Sequence, residues 1–289
     1  MFESFLNYRS GRWVWIATGI VLLSVLGYVG QDLAVPPNGG SPYGYTSGTF
    51  GALLMVWLTW LGRRKRDYRS TLGTLKGWTS AHVYLGAALI VIATLHTGFQ
   101  FGFNIHTFAY ALMMIVCASG IYGVWGYLRY PSAINENSGG KTRSELFDEL
   151  AEVDRKVLRS ISSLDPQVQR VIEGALERTF IGQTFFDQLL AKDRSTILLP
   201  GLGIMPNQDM KALVIYLIDR AGLAHDPMEK ERLQMLSSLI GRRARFLSRL
   251  RRDIQLVSLL RGWLVIHVPL ALTTLAALLA HIVSVFVYW

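Results

Sequence analysis

The chain has 289 residues, 51% of them hydrophobic and only 17% charged, yet 29 Lys and Arg against 20 Asp and Glu leave a formal charge of +9. Soluble domains carry about 25% charged residues, so a chain poor in charge and still basic must concentrate its cations. Here charge-free apolar runs alternate with dense basic stretches, and the composition is that of an integral membrane protein. A single cysteine, Cys117, excludes a disulfide scaffold, a cysteine-based zinc site and a protein-ligated iron–sulfur cluster.

A bilayer core of roughly 30 Å takes about 20 apolar residues of helix. In chain order the segments 13–30, 46–62, 78–100, 107–128 and 262–289 fit, and none contains Asp, Glu, Lys or Arg. The second is the shortest and contains glycine near its start. The first is too long for a signal-peptide core and lacks a small-x-small cleavage site after Val29, so it is expected to remain a transmembrane helix. With five spans, residues 1–12, 63–77 and 129–261 share one side and hold all 29 Lys and Arg, while 31–45 and 101–106 carry only Asp32. That asymmetry predicts a cytoplasmic N-terminus and a periplasmic C-terminus in a bacterial inner membrane. It also removes nucleic acid as a partner: Arg63-Arg64-Lys65-Arg66 sits between two spans and reads as a topology anchor facing anionic membrane lipid.

The expected fold class is all-α: a polytopic helical bundle of spans one to four in 1–128, an all-helical cytoplasmic domain in 129–261, and a fifth span in 262–289 that completes the bundle. Within the insert, helical periodicity covers 144–160, 166–180, 208–221 and 227–260, with Asp165-Pro166 and Asp226-Pro227 as helix starts. Leu233, Leu236, Ile240, Leu247, Leu250, Ile254 and Val257 form an apolar stripe in the last of these, flanked by Arg242, Arg243, Arg245, Arg249, Arg251 and Arg252. That helix is expected to run unbroken into the final span. Gly201-Leu202-Gly203 reads as a turn. With no G-x-G-x-x-G after a strand, no P-loop and no cysteine cluster, the insert is expected to pack or dock rather than catalyse.

Four of the six histidines lie in charge-free spans: His82 and His96 in the third, His267 and His281 in the fifth. Each pair is 14 residues apart, which is about four helical turns, so both members share one face about 21 Å apart. Under the topology above the two spans run in the same direction. His82 is then level with His267 near the cytoplasmic boundary, and His96 with His281 near the outer one. The flanks match as well: Lys76-Gly77-Trp78-x3-His82 and Arg261-Gly262-Trp263-x3-His267 repeat at an offset of 185, with Val-x-Leu after each histidine. Zinc asks for three or four clustered ligands, and a proton relay normally includes a carboxylate. Axial ligation of haem iron asks for one imidazole on each side of a flat macrocycle, which facing helices supply. The alternative is that each histidine makes an ordinary interhelical hydrogen bond.

These histidines and their spacing resemble the membrane di-haem cytochromes b, in particular the ferric-reductase-like transmembrane group and bacterial cytochrome b subunits of respiratory oxidoreductases. The resemblance spans about 76–128 and 261–289. It implies two haem b groups, with His82 and His267 on the inner iron and His96 and His281 on the outer one. It does not extend to the insert, nor to the C-terminal flavin and nicotinamide domains of reductases in that group, which are not expected after Trp289.

Further candidates cluster around these four. Lys76 and Arg261 lie one to two turns before the inner histidines and can pair with haem propionates or snorkel to lipid phosphate. Gly86, like Gly120, Gly123 and Gly126, permits close approach of a macrocycle or a helix. Trp78 and Trp263 suit an interfacial belt, and Pro269 a helix kink. In the outer loop, His106 is a candidate proton acceptor for quinol, with Asn104 and Tyr110 beside it in a candidate quinone site; a propionate or a backbone carbonyl is its alternative partner. His225 and Cys117 read as ordinary surface or packing residues. The function expected is a b-type cytochrome subunit of a membrane oxidoreductase complex. It carries electrons between a redox partner docked on the cytoplasmic domain and a quinone or periplasmic cytochrome. A stand-alone ferric or metal reductase, and a non-redox anchor or assembly subunit, are the alternatives.

Overall fold

The computed structural model describes residues 4–31, 37–67, 69 and 71–287. Asp32, the only charge expected outside, and the last two residues of the fifth span lie outside them. The described chain is helical apart from one hairpin: α1 Arg12–Val29, α2 Pro42–Arg64, α3 Leu75–His96, α4 Ile105–Ser138, α5 Arg143–Ile161, α6 Pro166–Glu177, α7 Phe185–Leu190, β1 Thr196–Leu199, β2 Gly203–Pro206, α8 Lys211–Leu223 and α9 Pro227–Val287. It divides into two compact units, Met1–Trp125 with Trp263–Trp289, and Gly126–Gly262.

Four helices are long and apolar enough to cross a membrane: α1, α3, the helix that begins at Ile105 and the one that begins at Pro227. This is a membrane protein by length and composition of its helices. Helix α2 has the length, 23 residues, but its first turns, Pro42-Tyr-Gly-Tyr-Thr-Ser-Gly48, are polar and glycine-rich and reduce its mean hydropathy. The second expected span, 46–62, is therefore not among the four.

In the first unit α3 packs against both α1 and α2. Small and apolar residues alternate on its buried face, from Gly77, Ser80 and Ala81 through Leu85, Ala88 and Leu89 to Ile92 and Leu95. Helix α2 answers with Gly44, Ser47 and Gly51 at one end and Leu54, Leu58 and Leu61 at the other. Small residues let two backbones approach, which is how helices associate where no hydrophobic force separates them from lipid. Ser41 and Thr74 start these helices, accepting from the backbone N–H of Gly44 at 2.9 Å and of Gly77 at 3.1 Å. The opposite faces are bare apolar surface, Leu23 and Leu26 on α1 and Leu272 and Val283 on α9 among them.

The second unit has a conventional buried core. Leu146, Leu150, Val153, Val157 and Ile161 recur at helical spacing on α5 and meet α6 and α8 residues together with Leu233, Leu236, Ile240, Leu247 and Leu250 of α9. Both Asp-Pro starts form: Asp165 accepts from Gln167 N–H at 2.6 Å and Asp226 from Met228 N–H at 3.0 Å. Helix α9 continues without a break to Val287.

Several expectations for this unit are corrected. It is not all-helical. Strands β1 and β2 pair antiparallel, with Leu199 opposite Gly203 and Thr196 opposite Pro206. The glycines read as a turn are the turn of this hairpin, Gly201 and Gly203 having φ of 78° and 75°, a region glycine enters without steric cost. Strands of four residues are too short to reveal a period of two. Helix α7 is too short to show in the sequence pattern, and the segment beginning at Gln208 becomes regular α-helix only at Lys211, because Asp209 and Met210 take positive φ. Two arginines assigned to the surround of the α9 stripe are instead buried. Arg243 Nε lies 2.6 Å from Asp154 Oδ1 and its Nη1 donates to Thr179 Oγ1 at 2.8 Å, while Arg251 donates to the carbonyl of Phe180 and faces Asp193 at 2.8 Å. Counter-charge and carbonyl partners make that burial tolerable. Between Leu250 and Leu260 the buried positions are Arg251, Asp253, Leu256 and Ser258, with Ile254 and Val257 half-buried.

Candidate functional site

The four span histidines all lie in the first unit, and each has its Nδ1 engaged. On α3, His82 Nδ1 lies 3.0 Å from the carbonyl of Leu58, and His96 Nδ1 lies 2.8 Å from the carbonyl of Gly44. A carbonyl only accepts, so Nδ1 carries the proton in both rings and Nε2 of the neutral imidazole keeps its lone pair. The two acceptors are 14 residues apart on α2, as the histidines are on α3, in the opposite chain order. The helices therefore run antiparallel, with α2 presenting one main-chain acceptor at each level.

On α9 the partners come from α4. His267 Nδ1 lies 2.6 Å from Ser119 Oγ. That hydroxyl also lies 2.8 Å from the carbonyl of Val116; with its proton directed there it accepts from His267, and again Nε2 is the bare nitrogen. His281 Nδ1 lies 2.6 Å from Nδ1 of His106. One of these two rings donates, and when His281 does, its Nε2 is free like the other three.

Between α3 and α9 the outer pair is close: the rings of His96 and His281 have centres 6.1 Å apart at an interplanar angle of 84°. An iron held axially by two imidazoles, at about 2 Å per Fe–N bond, separates their ring centres by about 6 Å. The inner pair, His82 and His267, lie within electrostatic range of each other. Both pairings set α3 and α9 parallel. Among the described residues no group of three or more His, Cys, Asp or Glu is placed to hold a metal ion by itself. A porphyrin supplies four donors of its own and asks the protein for one on each face. The residues present thus fit a haem better than a bare ion.

Glycines make the room. A Cβ on Gly48 would stand 2.6 Å from His96 Cε1 and 2.8 Å from its Nδ1, so the ring occupies the space a side chain would fill. A Cβ on Gly123 would stand 2.0 Å from the Trp263 ring. Trp263 lies in that notch, donates from Nε1 to the carbonyl of Ser119 at 2.7 Å and sits 5.0 Å from the His267 ring. Ser119 therefore holds both the ring and its aromatic neighbour, one through the hydroxyl and the other through the main chain. Around Gly86, one turn beyond His82, a Cβ would meet nothing within 4 Å, and a Cβ on Gly120 would lie 3.7 Å from His267 Cε1.

The remaining candidates are distributed as follows. His106 stands against His281, with ring centres 4.7 Å apart. Asn104 accepts from the backbone N–H of Thr107 at 2.9 Å, which is the work of a cap at the start of α4. Tyr110 shares a 2.9 Å hydrogen bond with Thr94 on α3 and packs on Phe101. Lys76 is half-buried in the first turn of α3, whereas Arg261 is exposed and belongs to the other unit. Lys65, read from sequence only as part of a basic run, is the cation whose charge reaches both His82 and His267. Burial holds its ammonium below the usual lysine range. Cys117 is half-buried and directs Sγ toward the carbonyl of Gly86 at 3.9 Å. Ser119, Lys65 and the two α2 carbonyls are what sequence reasoning missed. Comparison with protein-family models, with curated proteins and with solved structures finds no match for this chain.

Proposed function

We propose that this chain is a b-type cytochrome of the bacterial inner membrane that holds two haems, one between His82 and His267 and one between His96 and His281. In this reading α2 is a fifth span, the N-terminus is cytoplasmic and the C-terminus periplasmic. The resemblance to di-haem cytochromes b supports it, and a single observation carries it. Four intramembrane imidazoles have Nδ1 engaged by an adjacent helix, through Leu58, Gly44, Ser119 and His106. Metal-ligating histidines are held this way: the bond on one nitrogen fixes the tautomer and ring orientation and leaves the other to ligate.

Haem iron bound there supplies reversible one-electron chemistry. The chain's part is positional and electrostatic. The α2 carbonyls and Ser119 hold protons on Nδ1, so no proton competes for Nε2. Their dipoles raise the basicity of the imidazoles they orient. Apolar faces of α3 and α9 keep water from the intervening space, and Lys65 offers a cation near the inner pair for an anionic group at the cytoplasmic face. Two sites at two depths make a path across the membrane between a redox partner on the cytoplasmic side and a quinone or soluble carrier on the other.

A reduced-minus-oxidised visible spectrum of protein purified in mild detergent tests the assignment. Dithionite should produce a b-type alpha band, with two haems per chain by extraction. Replacing His281 should remove one haem and leave the other. A colourless protein, or a haem content unchanged by every histidine substitution, would overturn it.

A further inference from the structure

Helix α7 is short, but its placement is informative. It lies along α9 in the second unit. Gln255 Nε2 donates to the carbonyl of Leu189 at 3.1 Å, Ser258 Oγ donates to Gln188 Oε1 at 3.2 Å, and a Cβ on Gly262 would stand 3.0 Å from Phe185 Cζ. Rising residue numbers on α9 thus meet falling numbers on α7, so its phenylalanine end points along α9 toward Gly262. Gly262 is where the charge-free run of α9 begins, after Arg261. A side chain packed on Gly262 therefore lies at the depth where that run enters the bilayer.

What α7 shows at that depth is apolar and uncovered. Phe186 is 71% exposed and meets Phe185 edge-on, with ring centres 5.8 Å apart. Phe185, Phe186 and Leu190 together leave α7 an apolar surface of the kind that lies in the acyl boundary of a membrane. The surroundings suit a lipid surface. Gly126 approaches Leu260, which brings the end of the α4 apolar run to the same level, with Tyr127, Leu128 and Arg129 exposed there beside the exposed Arg261. Aromatic residues and cations at the level where spans end are the composition of a cytoplasmic membrane interface, where cations meet anionic phosphate.

We infer that α7 is an in-plane membrane foot: Phe186, braced by Phe185 on Gly262, inserts into the cytoplasmic leaflet and ties the soluble unit to the bilayer through lipid. The inference rests on α9 crossing the membrane and not on the haems.

Spin labels on the full chain, reconstituted in phosphatidylcholine–phosphatidylglycerol vesicles in a Cys117→Ala background, test it. Phe186→Cys, Leu272→Cys and Leu223→Cys each carry the label at an exposed position. Leu272 is on the final apolar run, and Leu223 precedes the start of α9, about 50 Å along that helix from Gly262. The ratio of collision rates with oxygen and with a water-soluble nickel chelate should be high at residue 272 and low at residue 223. At residue 186 it should be several-fold above the value at 223. A ratio at 186 equal to that at 223, with 272 in lipid, overturns the foot alone. Shielding of 186 from both reagents means that protein covers it, which also overturns the foot. A water-exposed label at 272 overturns the span and the foot together.

Discussion

Ser119→Ala isolates one imidazole from its partner while leaving the main chain in place. The hydroxyl lies 2.6 Å from His267 Nδ1 and 2.8 Å from the carbonyl of Val116; with its proton on Val116, the substitution removes an acceptor and strands an N–H in an apolar setting. Trp263 is unaffected in the first instance, since it binds the Ser119 carbonyl. A buried donor left unpaired costs about 1–3 kcal/mol. Loss of an outer-shell partner of a metal-ligating histidine lowers metal affinity about 10–100-fold, which is about 1.4–2.8 kcal/mol. The two routes agree on about 2 kcal/mol, enough to lower occupancy of the proposed inner haem site without unfolding the bundle. Haem extraction and a potentiometric titration of the alpha band should show the inner site depleted or shifted in potential and the outer one unchanged. Ser119→Thr, which keeps the hydroxyl, should restore it. Both haems at full occupancy and unchanged potential in Ser119→Ala would refute the reasoning.

Gly48→Ala places a methyl 2.6 Å from His96 Cε1 and should deplete the proposed outer haem selectively, whereas Gly19→Ala, which meets nothing within 4 Å, should leave the spectrum unchanged. Arg243→Met strips Asp154 of its buried partner and should destabilise the chain by about 3 kcal/mol in chemical denaturation. Adding Asp154→Leu should recover part of that loss, because an apolar pair avoids the desolvation of two charges. The Thr142 backbone N–H and hydroxyl hold the Glu145 carboxyl below its ordinary value of 4.5. A depressed folded-state value means the contribution is fully present above 4.5 and is lost as pH falls through the lower folded value. Acid titration followed by circular dichroism should therefore show this acid-side loss in the wild type and not in Glu145→Gln.

Much of this protein is written in local pattern. Charge-free runs mark the helices that can span a membrane, because lipid accepts no unpaired charge and no unsatisfied backbone. Asp165-Pro166 and Asp226-Pro227 mark two helix starts because capping is local chemistry, and heptad-like spacing marks the buried stripe of α9 as far as Leu250. The four histidines stand out for the same reason: polar groups at equal spacing in apolar helices are visible without any fold. Elsewhere local pattern was insufficient. Strands of four residues carry too few alternations to be seen, and buried Arg243 and Arg251 look like surface cations until Asp154 and Asp193 arrive from other elements. The partners of the histidines are a sharper case. Every residue has a carbonyl, so nothing in the sequence distinguishes Leu58 or Gly44 as an acceptor. Ser119 is one small polar residue in an apolar run, and Lys65 one cation in a basic cluster. The sequence alone determines which side chains offer nitrogen to the membrane interior. Only the packing of α2 on α3 and of α4 against α9 decides which nitrogen of each ring is engaged, because a hydrogen bond is set by which atoms meet across a helix interface.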